Sequence, residues 1–310
     1  MKKLLKILAI VLAILLVLCI ALYVVAVSIY SGSFNYRCTT SEKQALSMED
    51  FPDLARERHT FKTYQGHTLV GYLYESANEE IEESAVIVFA HGMGAGGQTG
   101  YIDIFNFMAQ NGFYVFAYDA TANDESEGEV MGGLPQGTID LDYAITYAEG
   151  IEEINDLPFV LMGYSWGGMS VTNVLNYHPE VKAVVSMAGW NKSMDMIDYV
   201  GCGMVGPVAK LLLPFASVYE YVQYGDYSFS TSMTGFENSD CPVMIVHGEK
   251  DTTIPISYGY DLYYETYGES ERFTFKKYPD RDHDVMRDAD EKHDMALMGE
   301  VVEFFNEAIK

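Results

Sequence analysis

Basic residues are scarce in this chain. Its 310 residues include 19 Lys and Arg against 45 Asp and Glu, a formal net charge of −26. Lys2, Lys3 and Lys6 precede a long apolar run, so the rest is more acidic still. Phosphate repels such a surface, which argues against a nucleic-acid partner and leaves solubility as the reading of the charge. Cysteine is also scarce: Cys19, Cys38, Cys202 and Cys241 contain no C-x-x-C pair, which argues against a structural zinc site. Cys19 lies inside the apolar run, and bulky Leu18 before it does not suit a lipoprotein site. One disulfide among Cys38, Cys202 and Cys241 is allowed outside the cell, without a preferred pair. No internal repeat and no low-complexity segment is present, and the length suits one large domain or two small ones. Asn191-Lys192-Ser193 is a glycosylation sequon, relevant only in a eukaryotic secretory path.

What the chain does have is, first, the apolar run. Ile7 to Tyr30 carries no charge. As a helix it would extend about 36 Å, enough to cross a hydrocarbon core of about 30 Å. The three lysines before it place the N-terminus in the cytoplasm and the bulk of the chain outside the membrane. A cleaved signal peptide is the rival. Its apolar region is usually about 7 to 15 residues, although Ala26-Val27-Ser28 offers a small-residue cleavage site. The reading is an uncleaved anchor over 1–30 and a linker over 31–56, in the cell membrane. Secretion after cleavage near Ser28 is the alternative.

Beyond the linker, apolar periodicity alternates between strand and helix. Arg58 to Tyr64 and His67 to Glu75 predict a hairpin about Gln65-Gly66. Strands are expected at Ala85 to Ala90, Phe113 to Tyr118, Pro158 to Tyr164, Val181 to Met187, Val243 to His247 and Arg272 to Tyr278. Helical patterns lie near Tyr101 to Asn111, Thr138 to Gly150, Trp166 to Tyr177, Tyr258 to Tyr267 and Ala296 to Ile309. This order implies an α/β fold with a mostly parallel, doubly wound sheet covered on both faces. One region breaks the alternation. About 191–237 is rich in Met, Tyr and Leu without a clear strand, and reads as a small helical cap insertion or, failing that, one long connection.

The second feature is Gly163-Tyr164-Ser165-Trp166-Gly167-Gly168, a G-x-S-x-G element between a strand and a helix. A serine at such a corner is strained and exposed, and flanking glycines let backbones approach closely. A hydroxyl is a weak nucleophile and needs a base and an oxyanion site. After Ser165, the strand to His247 leads into Gly248-Glu249-Lys250-Asp251, and the strand to Tyr278 into Pro279-Asp280-Arg281-Asp282-His283. Asp251 and His283 thus follow in the order Ser, acid, His, each just past a strand's carboxyl end. Asp240 and Asp280 are weaker acids for the role, and His293, His247 and His91 weaker bases. His91-Gly92-Met93-Gly94-Ala95-Gly96-Gly97 follows an early strand, so Met93 N–H and Trp166 N–H are the expected oxyanion donors. No Lys-Ser or Lys-Thr follows these glycines, so no nucleotide site is read there. The tract Asp280, Asp282, Asp284, Asp288, Asp290, His293 and Asp294 is read as a solvated loop rather than a metal site. No cofactor is called for.

These motifs together resemble the α/β-hydrolase fold family, over roughly Phe61 to Lys310. Tyr118 to Gly128 is similar to that family's D-x-x-G-x-G-x-S-x-G loop, with Ala122 and Asp124 at glycine positions and Ser126 and Gly128 kept. Membrane-anchored bacterial members with a helical cap, esterase-like or serine-aminopeptidase-like, are the most similar. The resemblance implies a hydrolase domain over 57–310 with Ser165 as nucleophile, Asp251 as acid, His283 as base, and Met93 and Trp166 as oxyanion donors. It implies a serine hydrolase, with a carboxylic ester of small-molecule or lipid-like character as substrate. Peptidase, thioesterase or acyltransferase chemistry on the same residues is the alternative, and a non-catalytic binding protein on the same fold is the alternative of another class.

Overall fold

The computed structural model describes residues 1–94 and 96–310. Helix α1 (Lys2–Phe34) opens the chain, followed by an antiparallel pair, β1 (Leu54–Lys62) and β2 (Thr68–Ser76). Strands and helices then alternate: β3 (Ala85–Ala90), α2 (Ile102–Ala109), β4 (Phe113–Asp119), α3 (Gln136–Ala148), β5 (Phe159–Tyr164), α4 (Trp166–Asn173) and β6 (Val184–Met187). Three helices come between β6 and the next strand: α5 (Ser193–Val205), α6 (Leu213–Tyr224) and α7 (Ser232–Asn238), with a 3-10 segment at Gly206–Leu211. The fold closes with β7 (Val243–Gly248), α8 (Tyr260–Tyr267), β8 (Phe273–Tyr278) and α9 (Met295–Ala308).

The eight strands form one sheet in the order β1-β2-β4-β3-β5-β6-β7-β8. From β4 to β8 every neighbouring pair is parallel, while β2 runs antiparallel to both β1 and β4. Strand side chains sort by parity onto two cores, as a pleat requires. In β3, Val86, Val88 and Ala90 join α3 and α4 on one face, with Leu141 and Val171. Ala85, Ile87 and Phe89 join α2 and α9 on the other, with Phe105 and Val301. This two-sided burial is why the strand reads as an unbroken apolar run. The chain leaves β3 toward β4 on one side and returns to β5 on the other. The carboxyl ends of β3 and β5 therefore flank a crevice of the kind where open α/β sheets bind ligands.

Helix α1 is long and apolar enough to be a membrane anchor or an N-terminal signal sequence. It runs past Tyr30 to Phe34 without a break. Its large apolar side chains from Leu4 to Val25 are largely exposed, whereas Ala26, Tyr30 and Phe34, one turn apart, are buried. Tyr30 donates to Glu220 Oε1 at 2.7 Å and accepts from Leu134 N at 3.2 Å. Residues after α1 lie along the domain: Cys38 N donates to Ala122 O at 3.0 Å, and the Arg37 guanidinium donates to the carbonyls of Ser126, Gly128 and Asp124. All four cysteines are free thiols.

Candidate active site

Ser165 joins β5 to α4 with φ 54° and ψ −115°, a conformation that a residue with a side chain adopts only under constraint. The constraint is visible. Ser165 N donates to Met187 O at 2.8 Å, and a Cβ on Gly167 would strike Ala90 O. The β3 backbone thus presses directly on the first turn of α4, which only glycine permits. The Trp166 indole, buried in that turn, donates to Leu134 O at 2.8 Å.

The loops after β7 and β8 bring Asp251 and His283 to this corner. His283 Nδ1 is 2.8 Å from Asp251 Oδ2, and His283 Nε2 is 2.9 Å from Ser165 Oγ. A carboxylate can only accept, so Nδ1 carries the proton and Nε2 turns its lone pair to the serine. Asp251 is itself held: Oδ1 accepts from Thr253 N at 2.9 Å and Ile254 N at 2.8 Å, and His247 Nε2 lies 3.2 Å from Oδ2. Burial pushes this carboxyl up, but hydrogen bonds from His247 and His283 outweigh it, and the acid sits below the usual carboxylate range. Tyr164 was not singled out from the sequence. Its hydroxyl donates to His283 O at 3.2 Å and its ring lies against the imidazole.

Met93 follows β3 and lines the cavity over Ser165, while Trp166 follows Ser165 at the end of β5. Trp166 opens α4, so its N–H has no carbonyl one turn back, and Met93 N has no acceptor among the described residues. Ala95, in the same loop, lies outside the described residues. His91 anchors the loop. Its Nε2 accepts from Ala120 N at 3.0 Å and its Nδ1 donates to Gly92 O at 2.8 Å, while burial lowers its pKa and keeps it neutral. The Tyr118–Gly128 loop keeps left-handed backbone without glycine at two positions, with φ 58° at Ala122 and 34° at Asp124. Ser126 Oγ donates to Asp119 O at 2.5 Å and accepts from Val70 N at 2.8 Å, closing the loop onto β2.

A cavity of about 470 Å³ opens over Ser165, lined by Gln44, Met93, Thr252, Asp282, Asp284 and Arg287 among others. Among the described residues, none of the 191–237 insertion lines it. The Met- and Tyr-rich helices therefore do not form a wall of this cavity. Gln44, from the segment expected to be a linker, does. His293 also lines the cavity, but its Nδ1 lies 2.8 Å from the Asp103 carboxylate and its ring stacks on Tyr101. Of the acidic tract, Asp284 pairs with Arg287, Asp294 with Arg281 and Asp280 with Lys250. Glu149, His178 and Glu180 converge closely enough to hold a metal ion, but both imidazole nitrogens are already engaged, by Asp142 at 2.8 Å and Glu180 at 3.0 Å.

Comparison with known proteins agrees with this architecture. Residues 81–226 match the family model described as serine aminopeptidase, S33. Residues 154–310, just over half of the chain, match that of the prolyl oligopeptidase family. No curated protein matches at the sequence level. Among solved structures, an esterase of Pyrococcus furiosus superposes with a TM-score of 0.66 at 14% identity, covering 89% of this chain and 99% of that one. An acylaminoacyl peptidase of Pyrococcus horikoshii superposes at 0.63 and 17% identity, covering 84% of this chain but 43% of that one. The α/β hydrolase GrgF of Penicillium sp. sh18 gives 0.60 at 17% identity, covering 82% and 99%. At such identities the likeness speaks for the fold. With the family matches, it makes this chain an α/β-hydrolase enzyme, and the chain belongs to the prolyl oligopeptidase family within that fold.

Proposed function

We propose that this protein is an extracytoplasmic, membrane-anchored serine hydrolase that cleaves carboxylic esters through an acyl-enzyme. The observation that carries the reading is the 2.9 Å approach of His283 Nε2 to Ser165 Oγ, together with two backbone N–H groups that have no acceptor among the described residues. His283 takes the serine proton as Oγ attacks the carbonyl carbon, and the imidazolium that forms is stabilised by Asp251. The oxyanion accepts from Met93 N–H and Trp166 N–H. His283 then protonates the leaving alcohol, and a water that it deprotonates releases the acid and restores Ser165. The polar cavity favours a short or polar acyl group over a long lipid chain.

The anchor reading draws support from α1 itself. Its last two turns are packed into the domain through Tyr30 and Phe34, so cleavage near Ser28 would cut a continuous, docked helix. The mass of the mature protein decides this: a chain starting near Ile29 would defeat the anchor.

A second reading, amide cleavage at an amino terminus, is favoured by Asp282 in the cavity wall, whose carboxylate has no cationic partner among the described residues and suits a substrate ammonium group. One experiment covers both. A fluorophosphonate probe should label the wild type and not Ser165→Ala, and an unlabelled wild type would remove the enzyme reading at Ser165. Turnover of a panel of acyl esters beside aminoacyl amides then separates the two. Faster hydrolysis of the amides would overturn the ester assignment.

A further inference from the structure

Between Asp198 and Asp226 the only charged residues are Lys210 and Glu220, and Glu220 is buried. In a chain with 45 carboxylates, this leaves α5, the 3-10 segment and α6 without an exposed acid from Tyr199 to Gly225. Their outer surface is apolar instead: Met204, Val205, Val208, Leu211, Val218 and Val222 are all exposed, Leu211 at 66% and Val222 at 67%. Soluble monomers rarely present so contiguous a patch without a partner.

The position of the patch identifies the partner. Ala209, Leu212 and Leu213 form an apolar crevice with Ala26 and Ile29 of α1, and Ser33 Oγ meets Met204 Sδ at 3.6 Å. The patch therefore adjoins the stretch of α1 where burial begins. From Ile7, after the last lysine, to Val25, before the first buried residue, a helix rises about 28 Å. A hydrocarbon core is about 30 Å thick, so the span is used up where the domain starts. Whatever packs on Ala26 to Phe34 must sit at the membrane surface.

We infer that the exposed face of α5, the 3-10 segment and α6 is a membrane-contact surface that seats in the outer leaflet beside α1, so that the domain is held at two places rather than swinging on a tether. This rests on the reading of α1 as an uncleaved anchor. Apolar side chains enter the boundary between headgroups and acyl chains, as in an interfacial helix. Lys210, whose ammonium pairs with Asp198 at 3.6 Å, is the one exposed charge there and has the stem length to reach lipid phosphate. The absence of exposed carboxylates matters for the same reason, since they would be desolvated on insertion.

The full chain, reconstituted in phosphatidylcholine vesicles carrying a phosphatidylcholine with a diazirine in its acyl chain, tests this by irradiation and mapping of lipid adducts. Adducts are expected on two separated stretches, Ile7 to Val25 and Val205 to Val222. The triple variant Val208→Glu, Leu211→Glu, Val222→Glu should lose most adducts on the second stretch and keep those on the first. Fluorophosphonate labelling at Ser165 and thermal unfolding report that this variant is folded. Adducts on α1 alone would overturn the inference and leave the anchor standing. A wild type without adducts on α1 would remove the anchor and the inference with it. Cross-links between two copies through Lys210, formed by an added amine-reactive bifunctional reagent, with that face unlabelled by lipid, would also overturn it by giving the patch to a second copy of the chain.

Discussion

Asp124 accepts hydrogen bonds from both the amide of Thr40, at 2.6 Å, and its hydroxyl, at 2.5 Å. The same carboxylate accepts from Gly97 N at 3.0 Å. One side chain thus ties the segment that follows α1 to the glycine-rich loop that carries Met93. It does so from a strained backbone, φ 34°, which aspartate tolerates better than most residues. Asp124→Ala should lose these bonds and keep the strain, a destabilisation of about 2–4 kcal/mol. Asp124→Gly loses the bonds but relieves the backbone, and should be about 1 kcal/mol more stable than the alanine variant. Thermal unfolding in detergent compares them. Equal stability of the two would show that the left-handed backbone costs nothing here.

Asp251→Asn tests the acid without removing its turn. The amide oxygen can still accept from Thr253 N and Ile254 N, but the NH2 group would face His283 Nδ1 and favour the wrong tautomer. The expected result is a fall in kcat on the order of 10⁴ with KM little changed. The acid should also report on folding. Its pKa is held below the unfolded value, so its contribution to stability is present above the unfolded pKa and is lost as pH falls through the lower folded one. Acid unfolding below about pH 4 should therefore be blunted in Asp251→Asn. Identical acid transitions in the two proteins would contradict this.

The parts of the fold that were legible in the sequence are those with a local signature. Strands β3, β5 and β7 are buried on both faces and therefore appear as apolar runs, each ending in a glycine- or acid-bearing turn at the same sheet edge. That edge is why Ser165, Asp251 and His283 could be named together. Contacts of large sequence separation left no such trace. Nothing near Gln44 announces that it lines the cavity, and nothing near Arg37 announces the carbonyls it meets, because the partners lie more than forty residues away. The 191–237 composition was legible as apolar, but not the direction of that surface, which depends on where α1 docks. Ala122 and Asp124 broke a glycine pattern, yet the backbone keeps its path because Ser126 within the loop, and Thr40 and Arg37 outside it, hold it in place.

Gly167 and Gly299 should respond oppositely to alanine. At Gly167 the added Cβ would collide with Ala90 O and lie 2.9 Å from His91 O, both backbone atoms of the central strand and its loop. Neither can yield without moving β3, so the variant should lose several kcal/mol, about 3 or more, together with probe labelling at Ser165. Gly299 lies inside α9 with nothing within 4 Å of the new atom. There, alanine should raise stability by about 1 kcal/mol, the helix-propensity difference alone. Unfolding midpoints of the two variants measure both signs. A tolerated Gly167→Ala would mean that the β3–α4 contact is looser than the crowding at this corner requires.

Glu220 offers the clearest pH test, because it couples α1 to α6 through a single buried carboxyl. It accepts from the hydroxyls of Tyr30 and Ser193, and its second oxygen has no partner among the described residues. Burial pushes its pKa up to about 7, although the two hydroxyls oppose the shift. The folded pKa lies above the unfolded one, so this group's contribution is fully present below about pH 4 and is lost as pH rises through about 7. The loss amounts to at most about 4 kcal/mol. Asp119, buried and also pushed up to about 7, has the same sign and remains in both proteins, so the difference between wild type and Glu220→Gln isolates Glu220. Glutamine keeps an acceptor for Tyr30 and cannot ionise. Its variant should match or fall slightly below wild type at pH 5 and exceed it in Tm at pH 8, flattening the slope between. A constant Tm difference across that range would show that Glu220 does not titrate between the folded and unfolded states. The tie from α1 to α6 would then carry no pH dependence of its own.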